Sequence, residues 1–176
     1  MTVKDYAITY LDKEVTIIEN SERRNVFPEL SIFEKAVIYK YCEDGFLDLN
    51  ESLRVGKEIN LFGHFLQEAL DKLPNFVGTV YRGVNLSTKE SQHYLIAYLN
   101  DDIITESFFV STSRSPLIGH QFGEIHFEIF SQRGKPVELL AKYPVEKEIV
   151  FLCNTKFRVI NFEENQGNSL IQLIDI

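Results

Sequence analysis

Cysteine is scarce: Cys42 and Cys153 are the only two in 176 residues. Neither has a metal-type or redox-type partner nearby in sequence, so the pair reads as two buried thiols, with a single bridge as the alternative. Histidine is equally sparse. His64, His93, His120 and His126 form no H-E-x-x-H or comparable spacing. His120 and His126 flank "QFGEI", but no cysteine or carboxylate pattern completes a set, and a metal cofactor is not expected. Positive charge is also short. Lys+Arg number 18 against 26 Asp+Glu, a formal net charge of -8. That balance argues against broad binding to a nucleic-acid backbone, which needs a basic surface. It leaves room for a small-molecule phosphate held by one or two arginines. Long apolar runs are missing as well. No stretch approaches the roughly 20 residues of a membrane helix. The N-terminal "MTVKDYAITYLDKEVTII" is interrupted by Lys4, Asp5, Asp12, Lys13 and Glu14 and has no signal-peptide pattern. The expectation is a soluble chain with no signal peptide or membrane segment, acting in a cytoplasm, either whole or excised from a longer protein.

Tryptophan is absent, yet aromatics make up 12% through 14 Phe and 8 Tyr. Hydrophobic residues at 44% and charged residues at 25% are the composition of a folded protein, and the length suits one ordinary domain with a real core. The first part is helical in pattern. "SIFEKAVIYKY" opens with Ser31 and Glu34 at capping-box spacing, and Phe33, Ala36 and Val37 follow a 3/4 repeat that Lys40 breaks. "EINLFGHFLQEALDKLP" puts Ile59, Phe62, Phe65, Leu66, Ala69, Leu70 and Leu73 on one stripe, with Pro74 beyond it as a stop. After Pro74 the texture changes to β-branched and aromatic. "FVGTVYRGV" (76–84) reads as a strand and "ESQHYLIAYL" (90–99) as a helix. Six strands are then expected at 104–113, 125–130, 136–141, 147–153, 156–164 and 169–176, separated by turn residues such as Gly123, Gly134, Asn154 and Gly167. Helices first and strands after give an α+β class with mostly antiparallel sheet, as one domain with a helical lobe over 1–75 and a β-rich part over 76–176.

Four stretches carry possible chemistry. "GTVYRGV" sets Arg82 in a strand, where a lone arginine is ordinarily solvated. "FFVSTSRSP" closes an apolar strand with Ser111, Thr112 and Ser113, by themselves a turn-prone strand end. "GHQFGEIHFEI" holds Phe122 before Gly123, by itself a core aromatic. "EKEIVFL" puts Glu146 and Glu148 two residues apart, which on one strand would aim both acids the same way, about 6–7 Å apart. Like charges so close raise the cost of ionising each other.

In this order the three motifs around Arg82, Ser111 and Glu148 resemble the arginine–serine–glutamate class of mono-ADP-ribosyltransferases, the group of cholera-like, clostridial binary-toxin-like and vertebrate arginine-specific enzymes. The resemblance covers roughly residues 33–160 and is carried by "LPNFVGTVYRGVNL", "FFVSTS" and "EKEIVFLCNTKFRVI". It implies two sheets around a cleft for NAD, used as a substrate without metal. Arg82 would grip NAD near its phosphates, since a guanidinium gives directed donors. Gly83 would let the nicotinamide come close. Ser111 would hold the catalytic glutamate, with Thr112 and Ser113 shaping the strand edge, and Arg114 would reach the diphosphate. Phe122 would lie against the nicotinamide ring. Glu148 matches the catalytic glutamate, Glu146 the first acid that goes with arginine as acceptor, and Tyr143 an aromatic of acceptor recognition. Cys153-Asn154 stand where relatives often have Pro-Gly, which alters a turn and not the chemistry. The implied activity is transfer of ADP-ribose from NAD to an arginine of a target protein, as in bacterial effectors, toxin modules or phage enzymes. The alternatives are NAD hydrolysis with water as acceptor, or a non-catalytic binding module.

Overall fold

In a computed structural model of the chain, described over residues 1–164 and 168–176, helices dominate the first 71 residues and strands the rest. The turn expected at Gly167 lies outside the described residues. Helices α1 (Val3–Tyr10), α2 (Asp12–Glu19), α3 (Ile32–Lys40), α4 (Phe46–Arg54) and α5 (Leu61–Asp71) form one side. The expected capping box starts α3: Ser31 Oγ accepts from the Glu34 amide, and the Glu34 carboxylate accepts back from the Ser31 amide. The stripe of α5 is buried from Phe62 to Leu70. The break at Lys40 has a structural counterpart. A π turn, Tyr41–Gly45, follows α3 directly and shifts the phase, so that Tyr41 and Cys42 turn inward.

Among the described residues there are seven strands: β1 (Phe76–Val84), β2 (Ile103–Glu106), β3 (Val110–Ser113), β4 (Ile125–Pro136), β5 (Glu148–Phe151), β6 (Thr155–Glu164) and β7 (Ser169–Asp175). Helix α6 (Thr88–Asn100) and the one-turn α7 (Pro116–Gly119) lie between strands. All pairings are antiparallel except β4 with β7. The strands form one continuous sheet in the order β1-β3-β5-β4-β7-β6-β2, closed by a further pairing of β1 with β4. Within it β3 and β5 make a short subsheet, joined to the larger β1-β4-β7-β6-β2 subsheet where the far end of β4 meets β5 and where Tyr81 of β1 meets Ser113 of β3. Strand β5 is buried on both faces. Val150 packs into the helical core, while Ile149 and Phe151 pack into a second core between sheet and α6. That explains its unbroken apolar run.

Two expected strands are corrected. Residues 104–113 are not one strand: β2 ends at Glu106 and the chain crosses to the other subsheet before β3 begins at Val110. Helix α4 covers the crossing. Asn50 holds Phe109 by both backbone groups, at 3.0 Å each, and Ser107 Oγ donates to Leu53 O at 3.1 Å. The strand expected at 136–141 is a turn after β4. Its buried residues Val137, Leu140 and Ala141 recur at helical spacing, not in alternation. Both cysteines are free and buried.

Candidate active site

The seam between the helices and the β3–β5 subsheet encloses a cavity of about 460 Å3. Arg82, Gly83, Ser111, Thr112, Ser113, Phe122, Tyr143, Glu146 and Glu148 line it, so nine of the ten residues singled out in the sequence meet in one place. Register accounts for much of this. Ser113 stands opposite Glu148 and Ser111 opposite Val150 across the β3–β5 pair, and residues paired this way share a face.

The last two hydroxyls of the S-T-S run tie down the acidic segment. Thr112 Oγ1 donates to Ile149 O at 2.8 Å, and Ser113 Oγ donates to Glu146 O at 2.6 Å. The Arg114 amide adds a bond to Lys147 O at 3.1 Å. The acids themselves are arranged otherwise than a strand face would have them. Glu146 ends a 3₁₀ turn, Pro144–Glu146, Lys147 is left-handed with φ 50°, and β5 starts only at Glu148. The turn reorients Glu146 before the strand begins, yet both acids line the cavity.

Glu148 is 9% exposed. Burial raises its pKa above the usual carboxylate range, hydrogen bonding from Cys42 and Ser111 opposes that, and the charge of Glu146 adds to the rise. Glu146 is raised by burial. Arg82 is half-buried, its desolvation lowers its pKa, and its Nη1 donates to Ser111 O at 2.7 Å. A guanidinium has five N–H donors, so this single bond leaves capacity for a ligand. Ser111 Oγ in turn lies 3.1 Å from Tyr41 Oη, and Asn50 Nδ2 donates to that phenol at 3.4 Å. Helix residues thus brace the strand that carries Ser111.

Packing alone already calls for glycine at position 83. A Cβ there would come within 2.8–3.0 Å of backbone atoms of His120, Gly119 and Gly123. Gly119 and Gly123 make the matching approach, since a Cβ on either would clash with β1 at 2.2–2.6 Å. The 119–123 segment is therefore pressed onto β1, and it presents Phe122 at the cavity with 59% of that residue exposed. Phe122 is thus no core aromatic. Tyr143 is likewise half-exposed at 49%.

Arg114 is not brought into the cavity lining. Its Nη2 is held by the Glu138 carboxylate at 2.6 Å, beside the Phe76 ring. The cation that lines the cavity with Arg82 is Arg54, at the end of α4 and 4.1 Å over the Phe108 ring. Sequence reasoning missed it, because a basic residue in the last turn of a helix reads as a complement to the helix dipole. It also missed Tyr41 and Asn50, for which the broken repeat at Lys40 was the one available signal. A second cavity, about 580 Å3, shares Arg54 and Arg82 with the first and is lined beyond them by Leu86, His93, Tyr94 and Phe108. The two volumes form a cleft with a cationic waist, in the size range of small-molecule sites. Among the described residues no group of three or more His, Cys, Asp or Glu is placed to hold a metal ion, and no helix is long and apolar enough to cross a membrane.

The sequence profile of the family described as NAD:arginine ADP-ribosyltransferase matches residues 38–176. The Mycobacterium avium (strain 104) protein Mav is 33% identical over 148 residues, 80% of this chain and 18% of that protein. The NAD(+)--protein-arginine ADP-ribosyltransferase Tre1 of Serratia proteamaculans (strain 568) is 28% identical over 158 residues, 85% of this chain and 34% of that protein. The chain thus spans about a fifth to a third of the length of these relatives. Among solved structures, exoenzyme S of Pseudomonas aeruginosa, in its complex with human 14-3-3 protein beta and carba-NAD, superposes with a TM-score of 0.80 at 19% identity, covering 98% of this chain and 86% of that one. It shares the fold.

Proposed function

Since the chain belongs to the NAD:arginine ADP-ribosyltransferase family, we propose that it transfers ADP-ribose from NAD to an arginine of a target protein and releases nicotinamide. The observation that carries this reading is the meeting of Arg82, Ser111, Glu146 and Glu148 in one cavity. NAD fits the cleft by charge and size. The diphosphate belongs at the waist between Arg82 and Arg54, the nicotinamide riboside toward Glu148 and Phe122, and the adenosine in the second cavity.

Glu148 accepts from the 2'-hydroxyl of the nicotinamide ribose and stabilises the sugar cation that forms as the C1'–N bond breaks. Nicotinamide leaves with the bonding pair and so becomes neutral. A guanidinium nitrogen of the acceptor then bonds to C1' and gives up a proton, for which Glu146 is the base. Because a guanidinium is otherwise protonated throughout, a carboxylate beside it is required for this step. The exposed Tyr143 and Val145, on the segment that bears Glu146, are the surface offered to the acceptor protein. The place of action is a cytoplasm, reached by delivery as for an effector or toxin module, or occupied directly as for a phage enzyme.

Incubation with NAD labelled in its adenylate half and a cell lysate tests this. The label is expected to move onto discrete protein bands. It should be released by the hydrolases or chemical treatments that act on arginine-linked ADP-ribose. Label found only in free ADP-ribose would overturn transfer in favour of hydrolysis.

A further inference from the structure

Tyr143 and Glu146 sit on a segment, 137–147, whose position is not set by strand pairing. Its near end is held from the N-terminal helices. Arg23, in the 3₁₀ turn Glu22–Asn25, donates Nε to Leu140 O at 3.0 Å and Nη2 to Ala141 O at 2.9 Å. Its guanidinium also lies 5.3 Å over the Tyr39 ring. Two N–H groups of one rigid plane on two successive carbonyls fix both distance and orientation. A second hold follows at the next residue. Lys142 Nζ donates to Glu43 Oε1 at 2.7 Å, and Lys13 of α2 joins the same oxygen at 3.4 Å. The Glu43 side chain is 8% exposed, and Lys142 beside it keeps its carboxyl below the usual range, so this is a charge-assisted contact, buried on the Glu43 side and partly exposed on the Lys142 side. The far end of the segment is held separately, by Ser113 on Glu146 O and the Arg114 amide on Lys147 O. Arg23 and Lys13 both precede residue 38, where the family match begins.

We propose that Arg23, seconded by the Lys142–Glu43 pair, is a positioning residue for acceptor selection: it holds the Tyr143–Glu146 segment in place for the acceptor guanidinium. The proposal rests on the transferase reading above. It does not extend to NAD, because Arg82, Ser111 and Glu148 stand on β1, β3 and β5, none bonded to Arg23.

The test compares Arg23→Ala, Arg23→Lys and the neighbouring exposed Arg24→Ala in the 176-residue chain. Two rates are read, hydrolysis of NAD without acceptor and transfer to agmatine, along with amide hydrogen exchange. Arg23→Ala should lower kcat/KM for agmatine roughly tenfold, the scale of one charge-assisted hydrogen bond. The loss should fall on the KM for agmatine and leave hydrolysis and the KM for NAD little changed. Arg23→Lys, which keeps one donor, should recover part of it, and Arg24→Ala should match wild type. Exchange should quicken at the amides of Leu140, Ala141, Glu146 and Lys147, which bond within the segment. Proportional loss of both rates, or no loss of either, would overturn the proposal, and so would unchanged exchange across 137–147. A wild-type chain that turns over no NAD would refute the transferase reading alone, and the exchange arm would still decide the clamp. If Arg23→Ala does not fold, Lys142→Met breaks the second hold from a partly exposed side chain, with the same expected and contrary results.

Discussion

Burial at Glu148 acts against the form of the side chain that the proposed chemistry needs. An ionised carboxylate must oppose the sugar cation, yet desolvation holds its proton on to higher pH than usual. Hydrogen bonding from Ser111 works the other way. The acid limb of kcat/KM for NAD, which reports the free enzyme, should therefore lie above the ordinary glutamate range. Since Ser111 lowers the Glu148 pKa, Ser111→Ala should move that limb further toward high pH. A pH-rate series on NAD hydrolysis checks both. A limb at the ordinary carboxylate pKa, unmoved by Ser111→Ala, would mean that another group limits the rate.

At the scale of elements, the placement of Phe122 depends on glycine. The 119–123 segment reaches the cavity because Gly119, Gly83 and Gly123 let two backbones touch. In Gly123→Ala the new methyl would meet Val84 backbone atoms at 2.2–2.5 Å, and backbone cannot yield by changing rotamer. The variant should lose about 1–3 kcal/mol, the range of overpacked sites, measured by urea unfolding, and bind NAD more weakly as Phe122 is displaced. Unchanged stability would show that the segment lifts off β1 freely. Elements with strong local signals were legible in the sequence: the capped start of α3, the stripe of α5, and the strands around Arg82 and at 156–164. What escaped depends on contacts distant in sequence. The break between β2 and β3 is imposed by Asn50 of α4 on Phe109, and nothing local in "ITESFFVSTS" marks it. Glu146 leaves the strand because of a 3₁₀ turn and a left-handed Lys147, a conformation that lysine does not advertise. Nine of the ten motif residues gathered in the cavity, while Arg54, Tyr41 and Asn50, which belong to no motif, are placed at or beside it by packing.

At the scale of the molecule, the cleft lies where two unlike halves meet. The strands supply Arg82, Ser111 and Glu148, while the helical side supplies Arg54, the brace on Ser111 and the hold on the 137–147 segment. A formal charge of -8 over the whole chain makes the arginine waist a local exception, suited to one dinucleotide and not to a polyanion. On the proposed reading the two glutamates divide one reaction: Glu148 for bond breaking, whatever attacks, and Glu146 for the attacking guanidinium. The most direct measurement sets Glu148→Gln beside Glu146→Gln and follows NAD hydrolysis and agmatine ADP-ribosylation in each. Glu148→Gln keeps shape and removes charge, so both rates should fall, by about 100- to 1000-fold if the carboxylate is the main electrostatic partner of the cation. Glu146→Gln should abolish transfer to agmatine and leave much of the hydrolysis. If Glu146→Gln removes hydrolysis as fully as Glu148→Gln does, or if neither variant changes either rate, that division of labour is contradicted.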